Sequence, residues 1–162
     1  PQSSEDLSLG VASLERFLKR YPDHKLAADA HLRIAQSYLH LNRAADAIKA
    51  LDRFLAEARF NGTDQQAEGR NLLGRAYLSQ KKFVEALAAW REYLGKHPSH
   101  SAWASVQQGI IDAEFLRAED ALENKKYDEA RKLWMEFVVK YPLDSRSARI
   151  MFAFGQMQFA EK

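Results

Sequence analysis

Histidines and carboxylates are the side chains here that could hold a metal or move a proton, and their spacing decides whether either chemistry is open. The chain has five histidines and 22 acidic residues, yet no His-Glu-x-x-His pair and no acidic calcium loop. His97 and His100 flank Pro98 and read as solvent-exposed turn residues. His31 and His40 fall nine positions apart on one predicted helix, two and a half turns, which turns them to different sides. Serines occur without a Gly-x-Ser-x-Gly elbow, and the seven glycines form neither a phosphate loop nor a dinucleotide fingerprint. No residue is therefore assigned a catalytic, metal-binding or cofactor-binding role, and the expected class is non-enzymatic.

Other motifs have structural explanations. Asn61-Gly62-Thr63 fits the glycosylation triplet, but the same residues are turn formers, so a surface loop is expected. Lys81-Lys82 and Lys125-Lys126 occupy short breaks, where cations favour the C-terminus of the preceding helix. Glu114, Glu119, Asp120 and Glu123 read as an exposed acidic helix face.

Composition narrows the partners. With 162 residues, 46% hydrophobic and 28% charged, the chain suits one domain, 1–162, with a continuous core. Basic residues exceed acidic ones by only two (24 against 22), which makes nucleic acid a poor partner. The absence of cysteine excludes disulfides and thiolate metal sites but leaves the compartment open. No apolar run approaches the roughly 18 residues of a membrane span, and Pro1 to Asp6 lacks the features of a signal peptide, so any targeting segment lies outside these residues.

The elements that must position any site are helices. Apolar residues return every three or four positions, as in Leu14, Phe17, Leu18 and Ile34, Tyr38, Leu41. Breaks fall at Tyr21-Pro22-Asp23, Asn42-Arg43, Asn61-Gly62-Thr63, Lys81-Lys82, His97-Pro98-Ser99, Lys125-Lys126 and Tyr141-Pro142-Leu143. An all-α chain of about seven helices is predicted. A lone second helix spans 5–21, hairpins span 25–60, 65–97 and 101–141, the last with a lengthened first helix, and a lone first helix spans 145–162.

The segments repeat. Alignment on Pro22, Pro98 and Pro142 brings Phe17-Leu18, Tyr93-Leu94 and Phe137-Val138 into one column pair, which Phe54-Leu55 joins without a proline. Ala35, Gly74, Ala118 and Gly155 form a small-residue column on first helices, and Ala47, Ala86 and Ala130 form one on second helices, so that paired helices approach closely. Trp90 and Trp134 share a bulky column with Leu14 and Leu51 and are expected to fill the space between successive hairpins. Copies step by 39 residues from Ala47 to Ala86 and by 44 from Ala86 to Ala130, with the excess expected in loops or helix extensions.

From Ala67 to His100, the series Leu73-Gly74, Tyr77, Ala86, Trp90 and Pro98 resembles the tetratricopeptide repeat. Arg70 replaces the leading aromatic, and shallower packing is expected there. A second copy carries Ile34-Ala35, Tyr38, Ala47 and Leu51, and a third carries Ala118, Ala130, Trp134 and Pro142, with Ala121 where tyrosine is usual. The resemblance implies a right-handed α-solenoid of antiparallel helix hairpins that starts and ends mid-repeat. The closing helix shows Ile150, Met151, Phe152, Phe154, Met157 and Phe159 without a following partner helix, so continuation of the polypeptide is expected at both ends.

In this family first helices line the inner surface. The resemblance therefore points to Leu32, Gln36, Leu39, His40, Asn71, Arg75, Leu78, Ser79, Phe115, Glu119 and Leu122 as a groove for a protein or peptide partner. The family's carboxylate clamp is not kept: Leu32 and Gln36 fill its first pair, Leu72 replaces its middle asparagine, and Asp112 with Leu116 replace its basic pair. Lys19-Arg20-Tyr21-Pro22-Asp23 followed by Ala28-Asp29-Ala30-His31-Leu32-Arg33-Ile34-Ala35 resembles repeats of bacterial envelope proteins, which implies the periplasm or cell envelope, with the cytoplasm as the alternative. Trp103 to Gln107, Ile110 to Phe115, Lys132 to Trp134 and Lys140 to Asp144 are similar to repeats preceding bacterial alpha-2-macroglobulin-like domains. A non-catalytic binding scaffold is the leading expectation. The repeat arm of an envelope protease inhibitor and a regulatory domain of a larger enzyme are the alternatives.

Overall fold

A computed structural model describes residues 3–160, with side chains through Phe154. Among these the order is α1 (Ser4–Arg20), α2 (Ala27–His40), α3 (Ala44–Ala56), a 3-10 turn (Ala58–Phe60), α4 (Asp64–Ser79), α5 (Phe83–Lys96), α6 (Trp103–Glu123), α7 (Tyr127–Lys140) and α8 (Ser145–Ala160), with no strand. The eight α-helices correct the expectation of about seven, because seven breaks separate eight rods. The chain forms two compact units, Pro1–Gln107 and Gln108–Lys162.

Local chemistry starts and stops the rods. Ser3 and Asp6 close a reciprocal capping box at the head of α1. The turns inside the three hairpins share one geometry: Asn42, Lys81 and Lys125 adopt φ of 56°, 57° and 60°. In each turn the next residue's N–H reaches back five positions, from Arg43 to Tyr38 O, Lys82 to Tyr77 O and Lys126 to Ala121 O. This is the Schellman closure, which satisfies carbonyls that the ending helix leaves bare.

Between hairpins a second device recurs. Tyr21, His97 and Tyr141 precede the prolines with φ of −134°, −131° and −127°, outside helical geometry as a following proline demands. Two residues after each proline a side chain accepts a backbone N–H two positions on: His24 from Leu26, His100 from Ala102 and Asp144 from Arg146. The residues beyond a roughly 34-residue unit sit in the 3-10 turn Ala58–Phe60 and in α6, which has 21 residues.

In the first unit, the core gathers Ala27, Leu32, Ala35, Leu51, Phe54 and Leu72 where α2, α3 and α4 meet. Close approach is steric. A Cβ on Gly74 would stand 2.3 Å from Trp90 Nε1, and one on Gly69 would stand 2.8 Å from Phe54. Trp90, 3% exposed, lies flat on that bare backbone and donates its indole N–H to Asn71 O at 3.2 Å. Leu14, in the same column, is half-buried.

The second unit lacks this fit at one point. Ala118 stands where Gly74 does, and Trp134 is half-buried with a buried N–H that has no acceptor. Phe137 is buried between Phe115 and Tyr141. Arg146 lies over Phe115 and Phe137 and bonds Asp112 and Asp144. Those bonds from Arg146 hold the Asp144 carboxyl down at about 2.

A polar pair stands at the family's leading aromatic position in all three hairpins. His31 meets Glu57 at 3.3 Å, Arg70 meets Glu92 at 3.2 Å and Glu114 meets Lys140 at 2.5 Å. Arg70 therefore does not pack shallowly as expected. Its side chain is buried, with Nε on Glu92 and Nη1 unpartnered. Glu114 likewise leaves the exposed acidic face to pair across the hairpin. His97 and His100 are half-buried against Tyr93, not solvent-exposed, and the Tyr93 hydroxyl lies 2.7 Å from His100 Nδ1. Ile150 of the closing helix is buried, whereas Met151 and Phe152 are exposed. The side chains of Met157 and Phe159, and the small-column position Gly155, lie outside the described ones.

Two measurements follow from this packing. Trp90→Ala is expected to cost about 3–5 kcal/mol. Gly74→Ala, despite a helix-propensity gain of about 1 kcal/mol, should lower urea-unfolding stability by about 1–3 kcal/mol by displacing the indole. Burial also lowers the pKa of His31, stacked on Phe54, against the pull of Glu57, and lowers that of His97 with help from Arg70. Below their ordinary value of 6.5, the unfolded chain then takes up protons that the folded chain refuses, so stability falls as pH drops. Urea unfolding at pH 7 and 5 should show this loss, and His31→Phe should remove part of it.

Candidate partner-binding surface

Leu32, Gln36, Leu39 and His40 recur on α2 at i, i+4, i+7 and i+8, as do Asn71, Arg75, Leu78 and Ser79 on α4, so each set forms one helix face. Their burial differs. Leu32 is buried in the core and offers only an edge, Gln36, Leu39, Asn71 and Leu78 are half-buried, and His40, Arg75 and Ser79 are exposed. In the second unit Phe115 and Glu119 are half-buried and Leu122 is exposed.

Two recesses of the first unit collect some of these residues. One of about 520 Å³ between α1 and α2 is lined by Leu14, Phe17, Asp29, Leu32, Arg33 and Gln36. Another of about 470 Å³ brings Leu39, Arg75 and Ser79 together with Asn42, Arg43 and Gln80. Arg43 is engaged there, paired with Asp46 at 2.8 Å and lying over Tyr38. Arg75 has no ion-pair partner among the described residues and carries the free charge of that recess. In the first recess Asp29 accepts from Gln65 at 3.2 Å, which leaves Arg33 and Gln36 as its outward polar groups.

The second unit holds a smaller recess of about 190 Å³, lined by Phe115 and Glu119 of α6, Trp134 of α7, and Arg149, Ile150 and Ala153 of α8 among others. Its α7 and α8 residues were not assigned from sequence. Their signal was the repeat register, which aligns Arg149 and Ala153 in sequence with Glu68 and Leu72. His40, Asn71, Leu78 and Leu122 line none of the three recesses. Asn71 instead serves the fold through its carbonyl, which receives the Trp90 N–H.

These surfaces suit recognition by apolar contact and hydrogen bonding. Among the described residues no group of three or more His, Asp or Glu side chains is placed to hold a metal ion, and no helix is long and apolar enough to cross a membrane.

Comparison with known proteins agrees with the repeat geometry. Two family models described as Tetratricopeptide repeat match, one over residues 3–62 and 55–101 and the other over residues 112–144. No curated protein matches the chain. Among solved structures it is similar to that of MamA, at 17% identity and a TM-score of 0.52, covering 95% of this chain and 80% of that one. It is also similar to a kinesin light chain of Podosopora anserina with nearly identical TPR-like repeats, at 18% identity and a TM-score of 0.53, covering 97% of this chain and 83% of that one. At these identities the structures speak for the fold alone. With matched residues spanning well over half of the chain and the recurring hairpin closures on the same register, the protein belongs to the tetratricopeptide repeat family.

Proposed function

We propose that the chain is a non-catalytic scaffold that holds an extended segment or a helix of a protein partner against the exposed faces of its first helices. Repeats of this family generally mediate protein–protein interaction, which supports the class. The observation that carries the reading is Arg75, an exposed guanidinium without an ion-pair partner among the described residues, set beside Leu39 and Ser79 in a recess of about 470 Å³. A cation next to apolar surface fixes the orientation of a partner while the apolar groups exclude water.

The envelope placement is supported by the style of Lys19 to Asp23 and Ala28 to Ala35. The resemblance of Trp103 to Gln107 and Lys140 to Asp144 to repeats preceding alpha-2-macroglobulin-like domains favours, as a second reading, the repeat arm of an envelope protease inhibitor.

Replacing Asn71 and Arg75 together by alanine is expected to abolish capture of a partner from a bacterial envelope fraction while the urea-unfolding midpoint stays unchanged. Capture that survives the double substitution removes this face from the mechanism.

A further inference from the structure

The recess of the second unit has a counterpart in the first that is filled. Register on the small-residue column pairs Phe115 and Glu119 of α6 with Leu32 and Gln36 of α2, Trp134 of α7 with Leu51 of α3, and Ala153 of α8 with Leu72 of α4. Leu72, 2% exposed, closes the crevice in the first unit by packing on Leu32, Ala35 and Leu51. Ala153 is three carbons shorter, and at its place there is an open recess of about 190 Å³ walled by Phe115, Trp134, Ile150 and Phe154. The recess therefore stands where the first unit places a core leucine, against a wall of aromatic and aliphatic side chains.

The rim states the chemistry of the occupant. Arg146 is spent on Asp144 and Asp112. Arg149 and Glu119, the remaining charged lining residues, have no ion-pair partner among the described residues. A donor and an acceptor on one small apolar mouth complement the C=O and N–H of an extended backbone. Two like charges would have selected a charged side chain instead.

We propose that this recess is an anchor pocket for a single large apolar side chain, leucine, methionine, phenylalanine or tryptophan, presented by an extended peptide segment of the partner. Arg149 donates to a backbone carbonyl of that segment, and Glu119 accepts from a backbone N–H. Apolar anchors seated in such pockets dominate binding energy, whereas rim contacts set register. The inference rests on the scaffold reading and adds to it the chemistry of the bound residue.

A twelve-residue random peptide display library selected on the full chain tests it. Enriched peptides should share one large apolar residue, and replacing that residue by alanine should weaken binding roughly tenfold or more. Ala153→Leu, which copies the filled crevice of the first unit, should weaken binding as much. Ala148→Leu, at an exposed position of the same helix, should leave it unchanged. Enriched peptides lacking a large apolar residue overturn the proposal, as does binding that ignores both Ala153→Leu and the anchor replacement. If such peptides still respond to the Asn71 and Arg75 double substitution, the scaffold reading survives without this pocket. A library from which nothing is enriched overturns both.

Discussion

Close approach between paired helices is the constraint on which the first unit depends, and it is set by what is absent from Gly74. With no Cβ there, the Trp90 ring lies where a methyl group would stand 2.3 Å away, and its N–H reaches a helical carbonyl. That contact brings α5 close to α4; Tyr93 and Leu87 on α5 are buried, and Leu72 on α4 packs toward Leu51 of α3. Close-packed interiors respond to single methylene changes. The second unit shows the consequence: with Ala118 in the glycine position, Trp134 is only half-buried and keeps an unsatisfied indole N–H.

The hairpins are held at their ends by polar devices. Left-handed residues at Asn42, Lys81 and Lys125 turn the chain within one or two residues, so the helix faces emerge in fixed register. Across each hairpin a polar pair stands where the family has an aromatic, and its cost differs with its surroundings. Arg70 is buried with a half-exposed acidic partner and one nitrogen unsatisfied, whereas Lys140 and Glu114 keep more contact with water. Buried pairs of this kind add little net stability, because the cost of desolvation offsets their attraction.

The packing leaves two surfaces open. The first unit exposes the Arg75 guanidinium beside apolar and hydroxyl groups, and the second keeps a largely apolar recess beside Ala153. In both, the exposed groups offer apolar contact and hydrogen bonding.

The all-helical fold and the family were legible in the sequence because their causes are local. Helical periodicity, the small column Ala35, Gly74 and Ala118, and the proline stops act within a few residues of themselves. The face of each first helix was legible for the same reason, since Gln36 and Leu39, or Arg75 and Ser79, share a side by spacing alone. Whether a residue on that face is available was decided by its neighbours in space. Leu32 is taken by the core, Asn71 lends its carbonyl to Trp90, and Arg70 is buried where shallower packing was expected. The recess at Ala153 is a further case: alanine there is unremarkable in sequence and becomes an opening only because Trp134 and Phe115 stand around it. Periodicity along one chain specifies direction, but occupancy depends on the volumes of side chains brought together from three separate helices, and only the tertiary structure brings them together.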